Sequence, residues 1–164
     1  MQENNTEFRF IIDKKILETL PVDTRKSYTT IDYYIDRMKR IRWHLTGDYK
    51  HNKNTFYVIN SLPGAKNKDE MEISEEKAKE LATAKNIIYL VRKTGIGEIE
   101  INGVRGIVEH VVVESIKNTQ EILNEIHIEF ETSKNDIEKI KQQIKPLKII
   151  NVGLFDYISE MCGV

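Results

Sequence analysis

The stretch N-E-I-H-I-E-F-E-T, residues 124–132, alternates strictly between two chemistries. Glu125, His127, Glu129 and Glu131 fall on every second position, and Ile126, Ile128 and Phe130 stand between them. Successive side chains of a strand point to opposite faces. One face of this segment is therefore apolar, and the other carries three carboxylates and an imidazole. Carboxylates held side by side raise one another's pKa unless a cation sits among them. Mg²⁺ or Mn²⁺ would supply that cation through hard oxygen ligands. The plain alternative is a solvated strand in an antiparallel sheet, which alternates in the same way. If His127 faces a cavity among those carboxylates, they favour its protonated form, whereas a bound metal pushes the other way.

The same period recurs along the chain. A strand over 5–12 puts Asn5, Glu7 and Arg9 against Phe8, Phe10 and Ile12. One over 39–46 puts Arg40, Arg42, His44 and Thr46 against Ile41, Trp43 and Leu45. Glu70 and Glu72 oppose Met71 and Ile73, and Glu98 and Glu100 oppose Ile99 and Ile101. Arg92 shares the parity of Glu98 if no bulge intervenes. Mixed Arg and Glu on five strands suits a lined cavity that holds a multiply charged anion, with Arg on its oxygens and a metal bridging it to Glu. A polar sheet face laced with cross-strand ion pairs has the same composition.

Further strands are expected over 27–35, 55–61, 86–101 and 104–116. Asn102-Gly103 signals a hairpin, and the two glycines of T-G-I-G-E at 94–98 signal a kink or bulge. Ser74 and Ser133 cap helices over 74–85 and 134–144. A helical turn is expected over 14–20. The 147–164 tail reads as a short strand or turn followed by a last helical turn. The 62–64 segment, with Pro63 and Gly64, reads as a turn. Together these predict one domain over 1–164. Its class is α+β and mostly antiparallel, with eight strands closed or nearly closed into a barrel and a few flanking helices. Closure would remove the edges that such strands expose.

Bulk composition narrows the classes. The chain has 164 residues, 31% charged and 40% hydrophobic, which suits a soluble globular domain. A net charge of −1 from 25 basic and 26 acidic residues gives no basic field for duplex DNA. The single cysteine, Cys162, excludes a disulfide within one chain. No run of about 18 apolar residues reads as a membrane span, and the N-terminus does not read as a signal peptide. The expectation is a cytoplasmic protein. The 47–54 loop, with Lys50, His51 and Lys53, reads as a solvated segment or a guide for an incoming anion. No His-x-x-x-His or Cys cluster suggests zinc.

An ordered set of short motifs resembles the triphosphate tunnel metalloenzymes, the CYTH superfamily. T-E-F-R-F-I-I resembles their opening E-x-E-x-K strand. S-Y-T-T-I-D-Y-Y-I-D and R-I-R resemble the second and third strands, and F-Y-V-I-N-S-L-P-G the fourth. E-M-E-I-S-E-E-K-A-K-E-L resembles their E-x-E strand and helix, I-I-Y-L-V-R-K the strand that brings in an Arg, and N-E-I-H-I-E-F-E the closing strand. The likeness spans residues 5–131 and marks a divergent member. It implies an eight-stranded tunnel in which Mg²⁺ or Mn²⁺ supports hydrolysis of inorganic triphosphate, a nucleoside or thiamine triphosphate, or an RNA 5′-triphosphate end. By the resemblance, Arg9, Arg40, Arg42 and Arg92 bind the phosphates, and Glu70 and Glu72 match the acidic strand before the helix. Glu7, Glu125 and Glu129 hold the metal. Glu7, Glu129 and a penultimate-strand acid, Glu100 or Glu109, serve catalysis. Asn5 and Asn60 replace a Glu and a Lys of the family pattern, and His127 another Glu. These losses allow a non-catalytic nucleotide- or polyphosphate-binding tunnel, and a class IV-type adenylate cyclase is a further alternative. Neither duplex DNA nor a membrane is expected as a partner, and a homodimer is compatible with the pattern.

Overall fold

A computed structural model describes residues 6–24, 27–48, 50–61, 68–117 and 119–162. Asn5 and the 62–64 turn lie outside them. The elements in chain order are β1 (Thr6–Ile12), α1 (Lys14–Thr19), β2 (Thr29–Tyr34), β3 (Lys39–His44), β4 (Thr55–Ser61), β5 (Lys68–Ile73) and α2 (Glu75–Leu81). They continue with β6 (Tyr89–Ile101), β7 (Val104–Ser115), β8 (Gln120–Thr132), α3 (Lys134–Ile144), β9 (Lys148–Ile150) and α4 (Leu154–Met161). The class is α+β, and every strand pairing is antiparallel.

One sheet holds nine strands in the order β5-β4-β3-β2-β6-β7-β8-β1-β9. Among the described residues no ladder joins β5 to β9, so the sheet is open, where eight strands closed or nearly closed into a barrel were expected. The ninth strand comes from the tail, whose three residues pair with Arg9–Ile11 of β1. The sheet is nevertheless strongly curled. Arg9 on β1 and Arg42 on β3 stand five strand spacings apart in the order, which is about 24 Å on a flat sheet. Both line one cavity.

Local chemistry explains the elements. Asp13, Ser74 and Ser133 each accept a backbone N–H from the first turn of the following helix. Asn102 and Gly103 both take positive φ, 52° and 77°, which the tight β6–β7 hairpin requires. On the convex face Phe8, Phe10, Ile12, Ile99, Ile101, Val108, Ile128 and Phe130 pack under Ile137, Ile140 and Ile144 of α3. Those α3 positions recur at helical spacing, so one stripe is buried. Burying each such side chain contributes about 1.5–3 kcal/mol.

The concave face divides along its length. At one end Ile11, Tyr34, Tyr89, Val91, Val111, Val113 and Leu123 pack against Leu154, Tyr157 and Ile158 of α4. The other end is charged and open.

Candidate functional site

The open end of the concave face is a cavity of about 430 Å³. Its walls include Glu7 and Arg9 from β1, Arg42 and His44 from β3, Lys93 and Glu98 from β6, Glu109 from β7 and Glu129 from β8. Tyr28, Asp48, Lys50 and His51 come from adjoining loops.

Two ion-pair knots organise it. In the first, Arg9 Nη2 donates to Glu129 at 2.7 Å and Nη1 to Glu109 at 3.2 Å. Its Nε makes no hydrogen bond and lies 3.8 Å from Glu7. The Tyr28 hydroxyl donates to the second oxygen of Glu109. Gly95 makes this possible, since a Cβ there would lie 2.6 Å from the Tyr28 ring. Burial alone would lower the Arg9 pKa, but Glu129, Glu109 and Glu7 together raise it. Burial would raise Glu109, and Arg9, Lys93 and Tyr28 instead hold it below the usual carboxylate range. Glu129 goes the other way. Its burial and the negative charges of Glu7 and Glu109 outweigh Arg9 and push it up.

The second knot centres on Asp32, which is fully buried on β2. Arg42 grips it with a two-pronged pair, Nε at 2.7 Å and Nη2 at 2.9 Å. Arg40 Nε lies 3.4 Å and Lys93 Nζ 3.5 Å from Oδ2. Burial would raise the Asp32 pKa, yet Arg42, Lys93 and Arg40 pull it far below the carboxylate range. Lys93 is lowered, chiefly by burial, with Arg42 and Arg9 adding like-charge repulsion against the pull of Asp32.

Several expected site residues sit elsewhere. Arg92 is exposed and faces away from the cavity. The register of β6 against β7 shifts between Gly95 and Gly97, which exchanges the parity on either side of this bulge. Lys93 therefore takes the inward place. Glu100 is exposed and outside the cavity lining, whereas Glu109, the other penultimate-strand choice, is 5% exposed within it. Arg40 is buried beside Asp32 but off the cavity wall, donating to Ser61 at 3.4 Å. Asn60 is exposed and pairs across to Lys39, on the opposite face from Arg40 and Arg42.

Glu125 does not join Glu7 and Glu129. Four residues of strand separate it from Glu129, about 13 Å. Its carboxylate accepts from Tyr157 at 3.0 and 3.1 Å and meets His127 Nε2 at 3.0 Å. The three acids thus do not fit one metal ion. Glu7 and Glu129 lie on adjacent strands and both line the cavity; burial first, and then the charges of Glu7 and Glu109, raise the Glu129 pKa. His127 is fully buried rather than lining the cavity. Arg9 Nη1 lies 3.4 Å from its Nδ1, and an arginine can only donate. Nδ1 must therefore be the acceptor, and Nε2–H donates to Glu125. His127 is neutral, its pKa lowered first by burial and then by Arg9, against the pull of Glu125 and Glu109. The protonated form expected of a cavity-facing His127 is corrected accordingly.

Three further side chains meet on the cavity wall. Ligand atoms of His44, Asp48 and His51 lie within 4.8 Å of one another. Burial, His51 and Arg42 push His44 down to about 4. Their spacing, His-x₃-Asp-x₂-His, has no helical or strand period that flags it in sequence. No protein-family model matches this chain, and no curated protein matches it in sequence.

Proposed function

We propose that the cavity binds a short polyphosphate chain, inorganic or as the triphosphate of a larger molecule, and supports its metal-dependent hydrolysis. The observation that carries this reading is the convergence of Arg9, Arg42 and Lys93 on one cavity that also holds Glu7, Glu109 and Glu129. Guanidinium groups match phosphate oxygens in pairs, and a lysine adds a compact positive charge. The ordered motifs that resemble triphosphate tunnel metalloenzymes point the same way. The curled sheet takes the part of the expected tunnel.

Each cation already has an internal carboxylate partner, so an incoming phosphate exchanges one anionic partner for another. Drawing Arg9 toward phosphate leaves Glu129 and Glu7 facing each other. A hard divalent ion bound between them would neutralise phosphate charge there. Glu109 and Glu129, both on the cavity wall, are the carboxylates placed to take a proton from attacking water. Arg42 and Lys93 hold the chain from the opposite wall. Positioning and charge neutralisation supply most of the catalysis in such transfers.

A second reading is a cavity that binds a nucleotide or polyphosphate without turnover. Arg9 stands between Glu109 and Glu129, and Glu125 is occupied by His127 and Tyr157, which leaves fewer carboxylates than the resemblance implies. Calorimetry with tripolyphosphate, pyrophosphate and orthophosphate, paired with phosphate release in Mg²⁺ or Mn²⁺, separates the two. Binding that strengthens with chain length and is followed by release supports the hydrolase. Binding without release selects the second reading, and no preference for tripolyphosphate sinks both.

A further inference from the structure

The His44, Asp48 and His51 cluster is chemically unlike the carboxylates Glu7, Glu109 and Glu129 on the same cavity wall. His44 is the last residue of β3, and the chain turns back on itself at Gly47, whose φ is +76°. A Cβ at Gly47 would meet the Lys53 backbone nitrogen at 2.7 Å, so the tight return depends on glycine. The return lays the His51 ring on the His44 ring, with centroids 3.9 Å apart and planes 9° apart. Asp48 is fixed by the backbone N–H groups of Lys50 and His51, both at 2.7 Å, and its Oδ1 lies 3.0 Å from His51 Nδ1. Glu70 Oε2 lies 3.7 Å from the far nitrogen of His51. A carboxylate in that position orients ligating histidines.

Imidazole ligates metals through an unprotonated ring nitrogen, and the stack holds the two rings side by side. Two imidazoles and one carboxylate suit first-row transition metals, whereas Mg²⁺ and Ca²⁺ prefer oxygen alone. Ligands bound at about 2.1 Å to one ion stand roughly 3–4 Å apart. The cluster therefore closes on an ion by side-chain adjustment of about an ångström, given its 4.8 Å spread.

We propose that His44, Asp48 and His51 form a binding site for one divalent first-row transition-metal ion on the wall of the cavity. All three residues line the cavity, so the ion would sit beside whatever enters it. The site stands whether or not the cavity hydrolyses triphosphate, because metal binding is read on the ligand-free chain.

The test is a Co²⁺ titration of the full chain, followed by visible absorption. One equivalent of Co²⁺ should give ligand-field bands that Zn²⁺ abolishes and a thousandfold excess of Mg²⁺ does not. His51→Gln and Asp48→Asn should each weaken Co²⁺ binding at least tenfold, with the far-UV circular dichroism unchanged. His110→Gln, on the opposite face of the sheet, should leave it unaltered. His51 is half-buried and its side chain holds no backbone group, whereas Asp48 accepts the Lys50 and His51 N–H groups, so the His51 variant is expected to fold even if Asp48→Asn does not. The proposal is overturned if no bands form, if His51→Gln binds Co²⁺ like the parent, or if Mg²⁺ displaces the ion.

Discussion

The two ends of the concave face are built on the same strands with the same parity, yet they do opposite things. On β1, Arg9 lines the cavity and Ile11, two residues on, is core. On β6 the sequence is Lys93 then Val91, and on β7 Glu109 then Val111. One end is shut by α4, with Tyr157 and Ile158 at most 1% exposed. The other end has no such plug among the described residues. There its cations and carboxylates neutralise one another. The difference teaches that alternation reveals which face a residue occupies but not how far along the face water reaches. Depth is set by the covering element, which here arrives from the end of the chain.

The largest expected effect lies where the two ends meet. Asp32→Ala leaves the buried Arg40 and Lys93 and the half-buried Arg42 without their shared counter-charge, and should cost about 3–5 kcal/mol of stability in chemical denaturation. A loss under about 1 kcal/mol would mean that water reaches this knot, and the boundary would move.

Next comes the plug. Ile158→Ala opens the apolar end and should cost about 2–5 kcal/mol. Tripolyphosphate affinity in the folded fraction should stay within twofold. A marked change in affinity would show that the two ends do not behave separately.

A smaller effect is expected from His127, which sits at the junction among Arg9, Glu109, Glu125 and Tyr157. Its folded-state pKa lies below the unfolded value of about 6.5. The unfolded chain therefore takes up the proton first as pH falls. The contribution is present above about pH 6.5 and is lost as pH falls toward the lowered folded value. Stability of the parent should decline between neutrality and mild acid, and His127→Gln should flatten that limb. An equally steep limb in the variant would remove His127 as its source.

Much of this arrangement was legible in the sequence. Strand parity placed Glu7, Arg9, Arg42 and Glu129 on one face, and the Ser74 and Ser133 caps placed two helices. Asp32 was within reach of the same reasoning. The β2–β3 hairpin sets it directly opposite Arg42, so register alone would have paired them. Lys93 was hidden by the bulge, because two glycines signal an irregularity without fixing its size. Glu125 was misplaced because parity ignores distance along the strand. The His44–Asp48–His51 cluster depends on how a glycine turn folds back, and side-chain period says nothing about that. The open sheet depends on where the edge strands end, which pairing rules leave free.

The most direct test of the charged cavity as a phosphate site compares two adjacent cations on β6. Lys93 faces inward and Arg92 outward, so Lys93→Met and Arg92→Met remove the same charge from opposite faces of one strand. Calorimetric titration with tripolyphosphate should show Lys93→Met weakened about tenfold or more, in line with the loss of one contact to a charged group worth about 1.5–3 kcal/mol. Arg92→Met should bind within about twofold of the parent, as expected for an exposed charge away from the site. Equal affinities in the two variants, or a larger loss in Arg92→Met, would contradict the account.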